Sequence, residues 1–191
     1  LSYQYSMALH QSENILVLYF RFLYCLQFVL PRPSKKNHQL CTMQPLNYPS
    51  YPFRFKNREN KIYIFDVIRK KFVVLQPEEW VRQHVVHNLI SDKNYPKAHI
   101  NVEKQLLINN LKKRYDVVVF NPNGSIEILV ECKSPETKID QVVFDQIARY
   151  NLLLKAKYLM VTNGLDHFFC SMDFEREQYS FLKDIPEYRP G

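Results

Sequence analysis

Asn123-Gly124, between RYDVVVF (114–120) and SIEILVECK (125–133), is a strong short-range signal for a β-hairpin. That hairpin brings two acids together. If Asn123 and Gly124 form a two-residue loop, Pro122 faces Ser125 and Asp116 stands directly opposite Glu131. A Pro122-Asn123 loop would set the acids diagonally on one face, and only a loop of odd length would separate them. Directly opposed residues have Cβ atoms ~4.5–5.5 Å apart. Lys133, two residues beyond Glu131, shares that face, while Cys132 points the other way with Ile126, Ile128 and Val130.

Two like charges so close destabilise a sheet unless something compensates them. A hard divalent cation does so: Mg²⁺ takes oxygen ligands and keeps several waters beside one or two carboxylates. Lys133 then stands where it orients, or helps to deprotonate, a metal-bound water. The competing reading is a surface Asp–Lys–Glu ladder with Lys133 as counter-ion.

The segment Lys138 to Lys155 has helical period, with an inward stripe read as Ile139, Val142/Val143, Gln146, Tyr150 and Leu153/Leu154. Gln146 and Tyr150 interrupt an otherwise apolar face. A buried amide without a partner costs roughly 1–3 kcal/mol, so Gln146 is expected to reach a polar site at the sheet edge. The other reading places it on the wet boundary of the helix.

Asp116, then Glu131-Cys132-Lys133 closing the next strand, then Gln146 and Tyr150 in the following helix, resemble the PD-(D/E)xK nuclease signature with its QxxxY motif. The chain is similar in particular to the N-terminal nuclease domain of type I restriction enzyme R (HsdR) subunits, over roughly 60–185, including PEEWVRQ and LMVTNG. The resemblance implies a restriction-endonuclease-like fold and a Mg²⁺- (or Mn²⁺-) dependent DNA endonuclease. It implies that Asp116, Glu131 and the Cys132 main-chain carbonyl ligate the metal and that Lys133 positions the attacking water. Gln146 and Tyr150 would shape the site or contact DNA. An acid from the first helix often completes such sites; Glu79 is favoured over Glu78 because it lies four residues from Gln83. Tyr115 stands where the family name has Pro, and no helicase motor follows, so no nucleotide cofactor is expected and a motor or specificity subunit would be separate. A homodimer is the other assembly considered. The alternative function is a catalytically inactive module of the same fold that binds nucleic acid or a partner protein.

The elements that must position these residues are legible in outline. Pro77 to Ile90 reads as an amphipathic helix, with Pro in its first turn, Glu78 and Glu79 at its positive end, and apolar residues at 81, 85 and 89. Strands are expected at 98–108, 114–120, 125–133, 157–162 and 167–172. Helix, three strands, helix, two strands argues one α/β domain: a mixed central sheet flanked by helices, with a crossover helix. Ahead of it, Lys61 to Ile68 and Phe72 to Leu75 form an N-terminal β-hairpin around Arg69-Lys70-Lys71. With Arg54 and Lys56, and interleaved with aromatic residues, these cations form a candidate DNA-facing surface or simply a solvated face. His84 and His87 at i, i+3 are a weak metal pair without a third ligand.

The 191 residues suit one core. At 46% hydrophobic and 24% charged, the composition speaks against disordered and polytopic membrane classes. A formal charge of +7 favours polyanionic partners. Three glycines leave no material for GxGxxG or GxxxxGK[ST] loops, which excludes the usual dinucleotide and ATP motifs. The four cysteines form no CxxC pair, and Cys132 reads as core, which fits a reducing, cytoplasmic setting.

Residues 1–42 differ in kind from the rest. ILVLYFRFLYCLQFVL (15–30) is broken by Arg21 and Gln27, too short and too charged for a membrane span of ~18–20 apolar residues. It lacks the flanks of a signal peptide. The expectation is a non-native or disordered extension over 1–42 and a nuclease-like domain over 43–191, without membrane contact. A membrane-anchored protein is the minor rival.

Overall fold

A computed structural model of the chain describes residues 43–108, 111–176 and 178–190, apart from the side chains of 106–108, 111–113, 150, 152 and 153. The extension over 1–42 lies outside the described residues. Three short strands come first: β1 (Phe55–Arg58), β2 (Lys61–Asp66) and β3 (Lys71–Val74), an antiparallel sheet where two strands were expected. Glu59 and Asn60, both at positive φ, turn β1 into β2. In the β2–β3 turn the Asp66 carboxylate accepts the Ile68 and Arg69 backbone N–H groups.

Helix α1 (Pro77–Ser91) begins where Pro77 and the two glutamates announced it. It buries Val81, Val85, Val86 and Leu89 against Val117, Val119, Ile128 and Val130. A six-stranded mixed sheet follows in the order β4 (Ile100–Ile108), β5 (Leu111–Phe120), β6 (Ile126–Cys132), β7 (Tyr158–Thr162), β8 (His167–Asp173) and β9 (Gln178–Leu182). Only β6 and β7 pair in parallel, joined by the crossover helix α2 (Gln141–Leu154). The β9 strand was not anticipated, and residues 98–99 lie in a 3-10 turn rather than in β4. Helix α2 packs Phe144, Ile147 and Ala148 on the opposite sheet face, over Val118, Leu129, Leu159 and Val161. This is the restriction-endonuclease-like α/β arrangement, with helices on both faces. Among the described residues no helix is long and apolar enough to cross a membrane.

The β5–β6 hairpin reaches the expected register by an unexpected route. Asn121 pairs with Ser125 around a three-residue loop, with Gly124 at φ +85°. That odd loop alone would shift the register. A bulge at Glu127 inserts one further residue, so Phe120 faces Ile126 while Val119 faces Ile128 and Val117 faces Val130. The bulge also flips the alternation: Ile128, Val130 and Cys132 pack under α1, whereas Ile126 packs with the α2 layer, against expectation.

Candidate active site

One residue past the Val117–Val130 pair, Asp116 in the middle of β5 reaches the end of β6, where it meets the Cys132 backbone next to Glu131. Asp116 is buried, and both of its oxygens are held. Oδ2 accepts the Cys132 backbone N–H at 2.7 Å, and Oδ1 accepts Nη2 of Arg82 at 2.6 Å. Lys133 Nζ donates to Glu131 Oε1 at 2.9 Å, while the Lys133 backbone N–H donates to the Thr162 carbonyl of β7. Burial works against the lysine's charge, but the hydrogen bond to Glu131 and the charges of Glu131, Asp116 and Glu78 outweigh it and raise its pKa. Lys133 thus sets a positive charge and hydrogen-bond donors beside Glu131.

Helix α1 supplies the rest. Arg82 donates to Glu79 Oε2 at 2.5 Å and to Glu78 Oε1 at 2.9 Å, as well as to Asp116. Burial acts to lower its pKa, but the attraction of Asp116 and Glu79 wins and moves it upward. Glu79 Oε1 accepts from Gln83 at 2.8 Å, the neighbour that singled it out, and from Arg69 at 2.6 Å. Glu79 thus accepts from three donors, while Glu78 is the half-exposed acid whose charge also reaches Lys133. Arg69 was expected to face DNA. It instead turns inward, where Asp66, Glu79 and Glu103 hold its guanidinium at 2.7, 2.6 and 2.5 Å. Asp66, fully buried, also accepts from Gln83. Burial would raise the Asp66 pKa, but the Arg69 and Gln83 hydrogen bonds reverse this and hold it below the usual carboxylate range.

Sequence reasoning missed Arg82, Asp66 and Glu103, and used Gln83 only to choose Glu79. Part of the signal was available, since Arg82 lies at i+3 from Glu79 and i+4 from Glu78, and Gln83 at i+4 from Glu79, on α1. Glu103 carried none: it reaches the network from a strand position at φ +52°.

Gln146 of helix α2 does not join the site as expected. Gln146 is exposed, and Val142 is 72% exposed. The buried positions are Phe144, Ile147, Ala148 and Asn151, the stripe that places the Phe144 ring among Phe168, Tyr179 and Phe181. At about 100° per residue, Gln146 lies roughly 200° around the helix from Phe144. The Tyr150 side chain lies outside the described residues. His84 and His87 hold no metal geometry: His84 Nδ1 pairs with the Trp80 carbonyl, and its ring sits among Phe53, Trp80, Tyr48 and Tyr51. His87 stacks on Tyr51. Arg54, Lys56, Lys70 and Lys71 are exposed on the N-terminal sheet and its turn.

Among the described residues no group of three or more His, Cys, Asp or Glu side chains is arranged to cage a metal ion. The donor set still fits a hard divalent cation. Each Asp116 oxygen accepts one hydrogen bond and has a second lone pair, and the set is all oxygen, which Mg²⁺ prefers with its remaining sites on water. The cation that the sequence argument called for is not needed to neutralise the acids, because Arg82 and Lys133 already do so. The Cys132 thiol is fully buried, and burial with the nearby Asp116 charge pushes its pKa well up. Only its main-chain oxygen is a candidate ligand.

Two solved structures are similar to this chain. One is a fragment described as an HsdR subunit of a type I restriction enzyme from Vibrio vulnificus YJ016, at 18% identity and a TM-score of 0.42, with 59% of this chain and 24% of that chain covered. The other is a protein described as a nuclease belonging to DUF820 from Anabaena variabilis ATCC 29413, at 11% identity and a TM-score of 0.38, with 68% and 80% covered. The chain spans about a quarter of the HsdR fragment. No curated protein matches it. The family described as type I restriction enzyme R protein N terminus (HSDR_N) matches residues 77–186, more than half of the 191 residues and the whole of α1 through β9. The chain belongs to this family of type I restriction enzyme R protein N termini, and so to the PD-(D/E)xK nuclease-like domains.

Proposed function

We propose that the domain is a divalent-metal-dependent DNA endonuclease of restriction type, hydrolysing phosphodiester bonds at the Asp116–Glu131–Lys133 edge. The observation that carries this reading is the meeting of an ExK strand end with Asp116 across one hairpin, with Lys133 charged and held on Glu131. Asp116, Glu131 and the Cys132 carbonyl would hold Mg²⁺ or Mn²⁺. When bound, such a cation stabilises charge on the phosphate oxygens. The Cys132 N–H and Arg82 fix the Asp116 carboxylate, and Lys133 would orient the attacking water, whose proton leaves to solvent or to a phosphate oxygen. DNA is the substrate, and the domain works alongside motor and sequence-recognition functions in a cytoplasmic assembly.

One observation favours the rival reading of an inactive module: each Asp116 oxygen already accepts a strong hydrogen bond, so Arg82 stands as a built-in substitute for a cation. Plasmid nicking separates the two. The full chain should cut with Mg²⁺ or Mn²⁺, stop in EDTA, and lose cutting in Lys133→Ala while DNA affinity stays nearly intact. Affinity comes from phosphate contacts spread over many cations. If the wild type binds DNA yet cuts no single-stranded, nicked or supercoiled form with either metal, the inactive module replaces the nuclease.

A further inference from the structure

The three-stranded N-terminal sheet has two unlike faces. Its inner face carries Ile64 and Asp66, both fully buried, with Asp66 bonded to Gln83 of α1. By the alternation of β2 and its register with β1 and β3, the outer face carries Lys56, Tyr63, Phe65, Phe72 and Val74, and Arg54 lies beside Phe65. None of the three rings is fully buried, and Val74 is 39% exposed. Phe65 and Phe72 meet edge to face at 5.2 Å. The Arg54 guanidinium lies 3.6 Å over Phe65, and Lys56 Nζ lies 4.4 Å over Phe72 and 5.4 Å from Tyr63. Arg58 and Lys61 extend the charge at the end of the sheet. Glu59, in the β1–β2 turn, is paired with Arg58.

The other face of this sheet already supplies its burial, so the rings on its outside add to folding only through cross-strand and cation–π pairs worth ~0.2–1 kcal/mol each. Rings interleaved with exposed cations are what a flexible polyanion with accessible π-faces requires: bases stack on the rings and on the guanidinium plane while phosphates meet the cations. A duplex keeps its bases stacked inside and offers only its backbone to such a surface. Tyr63 and Phe65 are two residues apart on one strand, ~7 Å, which suits about two bases.

The geometry points to this face as a binding platform for single-stranded DNA, which feeds an unpaired strand to the domain. The inference rests on the DNA-directed reading above and narrows its substrate. Arg69, between β2 and β3, ties the platform to Glu79 and Glu103 of the candidate site, so the two surfaces are held in fixed relation.

The test is fluorescence anisotropy of the full chain in EDTA, with labelled oligothymidylate of about 20 nucleotides, the matching ribo-oligouridylate, and a duplex of equal length. Phe65→Leu should weaken oligothymidylate binding by roughly tenfold, with duplex binding changed less than about twofold. Arg54→Gln with Lys56→Gln should weaken it too and flatten its salt dependence by about 0.7 for each phosphate no longer neutralised. Both substituted cations are exposed, so this variant remains informative if Phe65→Leu does not fold. Wild-type oligothymidylate affinity in a folded Phe65→Leu, or an unchanged salt slope in the cation variant, overturns the platform. Tighter binding of the ribo-oligomer overturns the assignment to DNA. EDTA confines the assay to binding. Plasmid cutting lost in Lys133→Ala with no ring dependence of binding would sink this inference and leave the nuclease standing, and the converse would do the reverse.

Discussion

Arg82 and Lys133 are the cations that meet Asp116 and Glu131, and they should fail in opposite ways. The Lys133–Glu131 pair is partly solvated, with 31% of the lysine side chain exposed, so its loss costs stability no more than about 1 kcal/mol. Arg82 is different: 4% of its side chain is exposed, and it serves Asp116 at 2.6 Å and Glu79 at 2.5 Å. Its third partner, Glu78, is 47% exposed and adds little. Removing one member of a buried pair costs ~3–5 kcal/mol, because the remaining charge is stranded. In Arg82→Met, Glu79 keeps Arg69, so Asp116 is the acid left without its cation and the lower end applies. We expect a loss of about 3 kcal/mol in urea unfolding in EDTA, and a Tm lower by roughly 6–12 °C. Asp116→Asn should then relieve the stranded charge. The double variant should be more stable than the sum of the single losses predicts, by about 1–3 kcal/mol. If Asp116 and Glu131 hold a divalent ion, millimolar Mn²⁺ should raise the Tm of Arg82→Met more than that of the wild type, by binding the folded state. Additivity within ~0.5 kcal/mol, or a loss in Arg82→Met under about 1 kcal/mol, would refute the claim that Arg82 neutralises Asp116 in a dry site.

Burial lowers the His84 pKa to about 4, and it lowers those of His87 and His167 as well. The folded pKa lies below the unfolded value near ~6.5, so the His84 contribution is complete above that pH and is lost as pH falls toward 4, by about 3 kcal/mol in all. His84→Phe should flatten the dependence of Tm on pH between 6.5 and 4, and an unchanged slope would exclude His84 as its source. On α2, Gln146→Ala should alter unfolding free energy by less than ~0.5 kcal/mol because the residue is exposed. Asn151→Ala should cost ~1–3 kcal/mol, since its buried amide closes the helix onto both backbone groups of Ala156; equal effects of the two substitutions would reverse the assignment of the buried face.

Features set by local chemistry were legible in the chain alone. Pro77 with Glu78 and Glu79 starts α1, and the Val- and Ile-rich runs on either side of Asn123-Gly124 make β5 and β6, because propensity and turn geometry act within a few residues. Period two then put Lys133 beside Glu131. Even the β5–β6 register was legible as far as Val117 against Val130, although two offsetting features produce it: an odd loop and the Glu127 bulge. Folding in three dimensions settles the choices between faces, and between partners distant in the chain. Helix α2 has apolar residues around more than one side, and only the aromatic cluster of Phe168, Tyr179 and Phe181 selects Phe144 inward and Gln146 outward. Arg82 meets Asp116 across 34 residues, and Arg69 meets Glu103 across the same separation. No pattern of neighbours encodes such pairings. They follow from which buried charges must be neutralised once the sheet and α1 have closed over them, since a charge taken out of water needs a partner wherever the chain brings one.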